Sequence, residues 1–271
     1  MIWALSILSS LAGLALLLFL IYLLVLIRPA RKVKPDPTLL CDYAHRGLHG
    51  NGIPENSLAA FDLACREGFG IELDVQLSSD GVVMVFHDST LVRMTGVKKK
   101  LCELTAAELQ TLTLADSDQR IPTFEQVLAL VNGRVPLLVE LKGEDTNTDL
   151  CGKVAAHLSS YRGAYCLESF NPLLIGKMKN FLPDAFRGLL YTNVCRDKKK
   201  KSALNRLLTA MALNVVAKPD FIAFNEKDRD SIPVRLSTKF YKTPKFVWTV
   251  RTEEGVKLAH AFEECAIFER K

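Results

Sequence analysis

The chain has 271 residues, 49% of them hydrophobic and 24% charged, with a formal net charge of +5. Its seven cysteines are scattered and odd in number, a pattern that fits reduced, partly buried thiols better than a disulfide framework. No nucleic-acid motif accompanies the positive balance, so no nucleic-acid partner is expected. The first element, Ile2 to Ile27, is an unbroken uncharged run of 26 residues. As a helix it is about 39 Å long, more than a hydrocarbon core of about 30 Å requires. It has no basic n-region, which a cleaved signal would carry, and no polar face, which a helix on a soluble core would show. Residues 1–27 are therefore read as a retained, single-pass transmembrane anchor in contact with the lipid bilayer through residues 2–27.

Arg28, Arg31, Lys32 and Lys34 follow, with no charge on the other flank, so the positive-inside rule predicts that the C-terminal side faces the cytoplasm. Residues 28–39 read as a basic linker in which Pro29, Pro35 and Pro37 stop the helix. Residues 40–271 are long enough for one large core and a single α/β barrel. Within them, strands are predicted at 41–45, 70–77, 82–87, 135–142, 165–170, 187–191, 219–224, 245–250 and 265–268. Helices are predicted at 57–68, 123–132, 149–160, 172–181, 202–217 and 252–263, with a short one at 105–112 opened by a Thr105–Glu108 capping box. This alternation implies βα units and a parallel sheet, and the strand number favours a closed TIM-type (β/α)8 barrel. The "GLHGNG" segment lacks the strand–helix setting of a dinucleotide fingerprint. Lys98–Lys100 and the "RDKKKK" run from Arg196 to Lys201 read as solvated loops, with anionic lipid as the alternative contact.

The polar residues collect at strand ends. In "GIELDVQL", Ile71, Leu73, Val75 and Leu77 share one face while Glu72, Asp74 and Gln76 share the other. "VPLLVELKG" repeats the pattern, with Glu140 and Lys142 opposite Leu137, Val139 and Leu141. His87 closes "VVMVFHD", and His45 and Arg46 close "CDYAHRG". Singly, these are ordinary features: a solvated E-x-D, a structural His–Asp, an E-x-K ion pair. Together they place ionisable groups at the C-terminal ends of four strands, and in a barrel those ends meet at one mouth. Carboxylates without a Cys/His set suit a hard cation, Mg²⁺ or Ca²⁺, rather than zinc. Two imidazoles suit general acid–base work, and Arg46 and Lys142 suit an anion. The combination describes phosphodiester cleavage better than hydride or acyl transfer.

"HRG", "PENS", "GIELDVQLSSDGVVMVFHD", "LLVELKG", "ESF" and a late "WTV" occur in the order of the glycerophosphodiester phosphodiesterase family, which residues 41–271 resemble. The resemblance implies a TIM-type barrel, one divalent cation (Mg or Ca), and cleavage of a glycerophosphodiester to a glycerol phosphate and an alcohol; the membrane anchor adds lysophospholipids to the expected substrates. It implies His45 and His87 as the acid/base pair and Glu72, Asp74 and Glu140 as metal ligands. Arg46 and Lys142 would contact the phosphate, and Phe170 and Trp248 would wall the substrate. Glu55 and Asn56, followed by Ser57, fit the family's E-N-T and are expected to shape a loop and cap the next helix. Two positions depart from the pattern: "CAIFERK" replaces a Thr-Asp-like ending of the last strand, and Arg251 replaces an Asn after "WTV". A phosphatidylinositol-type phospholipase and a catalytically silent, membrane-tethered binding protein are the rival readings.

Overall fold

The computed structural model describes residues 2–30, 35–143 and 149–270; Arg31, Lys32 and Lys34 of the expected basic flank lie outside the described residues. Nine strands form a single sheet: β1 (Tyr43–Ala44), β2 (Gly70–Leu77), β3 (Val83–Val85), β4 (Leu137–Leu141), β5 (Tyr165–Ser169), β6 (Phe186–Tyr191), β7 (Phe221–Asn225), β8 (Lys245–Val250) and β9 (Cys265–Phe268). β1 pairs in parallel with both β2 and β9, which closes the sheet into a barrel. Every pairing in the barrel wall is parallel. β3 alone is antiparallel and pairs outside the wall with the far half of β2. The predicted strand at 82–87 is thus a hairpin arm rather than a barrel strand.

The period-2 alternation sorts the side chains into two cores. Outward residues such as Ile71, Leu73, Val75, Val139 and Leu167 pack under the helices. Inward residues fill the barrel floor: Tyr43, Leu138, Cys166, Phe186, Phe221 and Phe246 are all buried there. Phe221 is the hub, with ring centroids 4.9 Å from Phe186 and 4.4 Å from Phe246. Gly188 makes room for it, since a Cβ at that position would lie 2.0 Å from the Phe221 ring. Leu39, at the end of the expected linker, also belongs to this floor, and its carbonyl accepts a hydrogen bond from the Tyr43 hydroxyl.

Outside the wall lie helices Leu58–Glu67, Phe124–Val131, Asp149–Ser160, Pro172–Phe181 and Glu253–Ala261. Ser57 and Thr123 cap the first two by accepting hydrogen bonds from Ala60 N and Gln126 N. The expected Thr105–Glu108 capping box forms, but its helix spans only Ala106–Leu109. The helix predicted at 202–217 is two pieces, Ala203–Thr209 and Asn214–Ala217, separated by Met211 at a φ of 51°.

Ahead of the barrel, the helix Ile2–Ile21 continues as a wider turn over Tyr22–Leu26. The stretch Trp3–Leu26 is long and apolar enough to cross a membrane. Its last turn is docked on the barrel: Ile27 is fully buried, its carbonyl accepts a hydrogen bond from Asn214, and the Tyr22 hydroxyl donates to Ala210 O.

Candidate active site

Above the apolar floor, the inward positions turn polar. Asp74 pairs with Glu140 across β2 and β4, and Glu140 pairs with Glu168 across β4 and β5. One rung of the barrel therefore carries three carboxylates, with Glu72 two residues below Asp74 on the same face. All four are buried. Ligand oxygens of Glu72, Asp74 and Glu140 lie within 4.8 Å of one another. Lys142 Nζ sits 2.9 Å from Asp74 and 2.8 Å from Glu140.

The titration behaviour follows from this crowding. Burial, reinforced by Asp74, Glu140 and Glu168, pushes Glu72 well above the usual carboxylate range. Burial likewise lifts Glu140, to about 7, against the pull of Lys142. Burial also opposes ionisation of Asp74, but Lys142, His87, Arg46 and the Asn56 amide outweigh it and hold Asp74 low. Glu168 is pushed well above its usual range, first by burial and then by Glu140. Its Oε2 is buried with no hydrogen-bond partner among the described residues. Such a carboxylate cluster is costly without a compensating cation. All-oxygen donors at this spacing fit a hard divalent ion.

His45 and Arg46 follow β1. Arg46 has a φ of 56°. Its N–H donates to Glu72 Oε2 at 2.8 Å, and its guanidinium reaches Glu55 at 2.7 Å and Asp74 at 3.6 Å. Gly47 then turns the chain at a φ of 79°, where a Cβ would lie 2.8 Å from Phe61. Only glycine lets the loop sit this close to the helix behind it. The "PENS" residues do the shaping expected of them. Asn56 Nδ2 donates to Asp74 Oδ2 at 2.7 Å, and Ser57 caps the following helix.

His87 arrives by a different route from the one expected. β2 runs past the mouth, and β3 folds back along it until Phe86 N bonds Asp74 O. Gln76, on the same face as Glu72 and Asp74, holds this turn, its amide nitrogen lying 2.8–3.0 Å from the carbonyls of Phe86, His87 and Asp88. The hairpin, not a barrel-strand end, delivers His87.

The two imidazoles are held alike. His45 Nδ1 lies 2.7 Å from Glu269 Oε1, and His87 Nδ1 lies 2.7 Å from Asp88 Oδ1. The His45 bond draws Glu269 down to about 2, so Glu269 is ionised and Nδ1 must be the donor. Asp88 is also held low: burial opposes it, but Arg93 and His87 outweigh burial. Both Nε2 atoms are thus left as lone-pair acceptors, and that of His45 is 3.9 Å from Glu72. Burial pulls both histidines below the ordinary imidazole value, which leaves them neutral at pH 7.

Arg93 ties the two halves together, with 2.6 Å contacts to Glu55 and to Asp88. Phe170, just after β5, and Trp248, within β8, meet edge to face at 5.5 Å. Trp248 Nε1 donates to Ala223 O at 3.0 Å, and Phe170 is 41% exposed. All nine residues singled out in the sequence therefore lie at the barrel mouth. Sequence reasoning assigned no role to Glu168, Glu269 or Arg93. "ESF" contained the first, and the atypical strand ending contained the second. Arg93 carried no signal, because its pairing depends on how two loops fold together.

The model of the "Glycerophosphoryl diester phosphodiesterase family" matches residues 45–268. A putative glycerophosphodiester phosphodiesterase of Bacillus subtilis (strain 168) is 38% identical over 125 residues, covering 44% of this chain and 51% of that one. Human glycerophosphodiester phosphodiesterase 1 is 30% identical over 159 residues, covering 55% and 48%. The aligned segment thus spans about half the length of these relatives. An Oleispira antarctica phosphodiesterase solved in complex with the product sn-glycerol-3-phosphate superposes with a TM-score of 0.70 at 23% identity, covering 84% of this chain and 92% of that one. The glycerophosphodiester phosphodiesterase of Thermotoga maritima gives 0.65 at 25% identity, covering 85% and 94%.

Proposed function

The chain belongs to the glycerophosphoryl diester phosphodiesterase family, and from that premise we propose that it hydrolyses glycerophosphodiesters, lysophospholipids among them, to a glycerol phosphate and an alcohol. The observation that carries the reading is the symmetric tethering of His45 and His87, each through Nδ1 to a carboxylate, beside one buried acidic cluster. Glu72, Asp74 and Glu140 are the residues that would hold a Mg²⁺ or Ca²⁺ ion. When bound, such an ion supplies Lewis-acid polarisation of a phosphoryl oxygen.

The protein's own groups do the rest. Arg46, exchanging part of its pairing with Glu55 and Asp74, binds non-bridging phosphate oxygens, and Lys142 adds positive charge on the other side. One imidazole takes the nucleophile's proton at Nε2, and the carboxylate on its Nδ1 stabilises the imidazolium that forms. The other imidazole, neutral in the free site, takes up a proton at Nε2 when the anionic phosphate binds beside it, and gives that proton to the departing alkoxide. Phe170 and Trp248 wall the glycerol or head group. The nucleophile is water or a glycerol hydroxyl. The hydroxyl route passes through a cyclic phosphate, which phosphorus NMR of the reaction mixture distinguishes.

We further read residues 1–27 as a retained membrane anchor whose final turn leaves the bilayer to pack on the barrel, 28–39 as a linker, and 40–271 as the catalytic unit on the cytoplasmic side. Burial of Ile27 and the Tyr22–Ala210 hydrogen bond support retention, because the span's last turn is part of the barrel's packing. A silent binding protein is disfavoured because every expected group is present and assembled. Assaying glycerophosphodiester and lysophospholipid panels with Mg²⁺, Ca²⁺ or EDTA tests the proposal. Cation-dependent release of a glycerol phosphate supports it, and no release from any substrate rejects it.

A further inference from the structure

The lysine run after β6 and the short helix behind it play no part in the chemistry above. Arg196 is engaged by Asp197 and Asp228. Lys198, Lys199, Lys200, Lys201 and Arg206 are exposed, and none has an ion-pair partner among the described residues. The helix Ala203–Thr209 exposes Leu204 (57%) and Leu207 (43%), and the next mouth loop exposes Ile232 (72%). Apolar side chains this open beside an unpaired basic run are the composition of a surface that rests on an anionic interface.

Position decides what covers it. Tyr191, the last residue of β6 at the mouth end, donates to Thr209 O, and the adjoining Ala210 O accepts from Tyr22. Ala30 N, eight residues further along the chain, bonds Pro219 O just before β7, at the floor end. The chain thus descends from mouth to floor between Tyr22 and Ala30, so the helix Ile2–Ile21 projects on the mouth side. Its 20 residues span about 30 Å, the thickness of a hydrocarbon core. Tyr22 therefore falls at the membrane–water boundary, where tyrosine is favoured. The helix Ala203–Thr209 ends beside it, one hydrogen bond away at Ala210 O.

We infer that Ala203–Thr209 and Lys198–Lys201 rest on the leaflet from which the N-terminal helix emerges, with Leu204 and Leu207 in its interfacial layer and the lysines against anionic headgroups, so that the barrel mouth opens at the bilayer surface. The inference rests on the reading of residues 1–27 as a retained span. It supplies a physical reason for a lipid-derived diester to reach Phe170 and Trp248 from the interface rather than from bulk water.

The test uses the full chain in vesicles of phosphatidylcholine with a minority of phosphatidylserine. A photoreactive benzophenone amino acid is placed in turn at Leu14, Leu204, Leu207 and Leu40, and lipid adducts are measured by mass spectrometry. Leu40 is 45% exposed beside the barrel floor and serves as the control. The expected result is adducts at Leu14, with yields at Leu204 and Leu207 severalfold above Leu40. Replacing the lysines (Lys198→Gln, Lys199→Gln, Lys200→Gln, Lys201→Gln) is expected to lower the Leu204 yield severalfold with phosphatidylserine and to leave it unchanged in phosphatidylcholine alone. The same variant retains hydrolysis of a soluble diester in detergent, which shows that it is folded. Adducts at Leu14 with Leu204 no higher than Leu40 overturn this inference alone. No adduct at Leu14 overturns the retained span and the inference with it.

Discussion

His45 Nδ1 donates to Glu269 Oε1 over 2.7 Å, and Arg251 Nε donates to Glu269 Oε2 over 2.8 Å. The two positions that depart from the family pattern are therefore partners. Glu269 stands directly after the last strand, Cys265–Phe268. Arg251 braces this glutamate mainly through Oε2, and its Nη2 also reaches Oε1 at 3.4 Å.

Glu269→Gln removes the charge that fixes the His45 tautomer while preserving the side chain's size. Kcat is expected to fall about 10- to 100-fold, the usual effect of removing a group that orients an active imidazole, with KM little changed. Glu269→Asp should recover part of the loss. Steady-state kinetics check this, and wild-type kcat in Glu269→Gln would remove Glu269 from the account.

His45→Ala and His87→Ala each delete one proton-transfer group and should lower turnover by roughly 10² to 10⁴. Circular dichroism confirms that the variants are folded. If both keep wild-type turnover, the acid–base assignment is wrong.

Metal-free stability should depend on pH in a stated direction. Glu72 and Glu168 are raised well above the ordinary value and Glu140 to about 7, so the native state holds protons that the unfolded chain releases from about pH 4.5 upward. Stability of the EDTA-treated protein should therefore fall as pH rises above about 6.5, where the opposite contribution of the two buried histidines has ended. Mg²⁺ or Ca²⁺ should raise Tm more at pH 8 than at pH 5. Differential scanning calorimetry at the two pH values measures this, and an equal or absent metal shift contradicts it.

Lys142→Met removes the ammonium shared by Asp74 and Glu140. An orphaned buried charge costs about 3 to 5 kcal/mol, so urea unfolding of the metal-free variant should show a loss near the lower figure. Added divalent cation should restore part of it. A metal-free stability equal to wild type would show that the carboxylates are neutral there.

Much of this arrangement was legible because strand alternation is a local rule. In "GIELDVQL" and "VPLLVELKG" the period of two separates Glu72, Asp74 and Glu140 from the apolar face without reference to the rest of the chain, and the barrel wall follows that division. Glu168 obeys the same rule in "YCLES", but a single acid on a strand has no local reason to point at others. The route of His87 was not legible, since an antiparallel hairpin arm and a short barrel strand read alike. Glu269 and Arg93 depend on contacts across more than 200 and nearly 40 residues of sequence, which no local pattern encodes. The break at Met211 has the same character: helical spacing continues through 202–217, and tertiary packing interrupts it.

The most direct test of the central claim is release of glycerol phosphate from a defined glycerophosphodiester by the purified full chain, with divalent cation and with EDTA, compared with Asp74→Asn. The account expects cation-dependent release by the wild type, abolished by EDTA and by the substitution. Release that persists in EDTA, or equal release by Asp74→Asn, would contradict it.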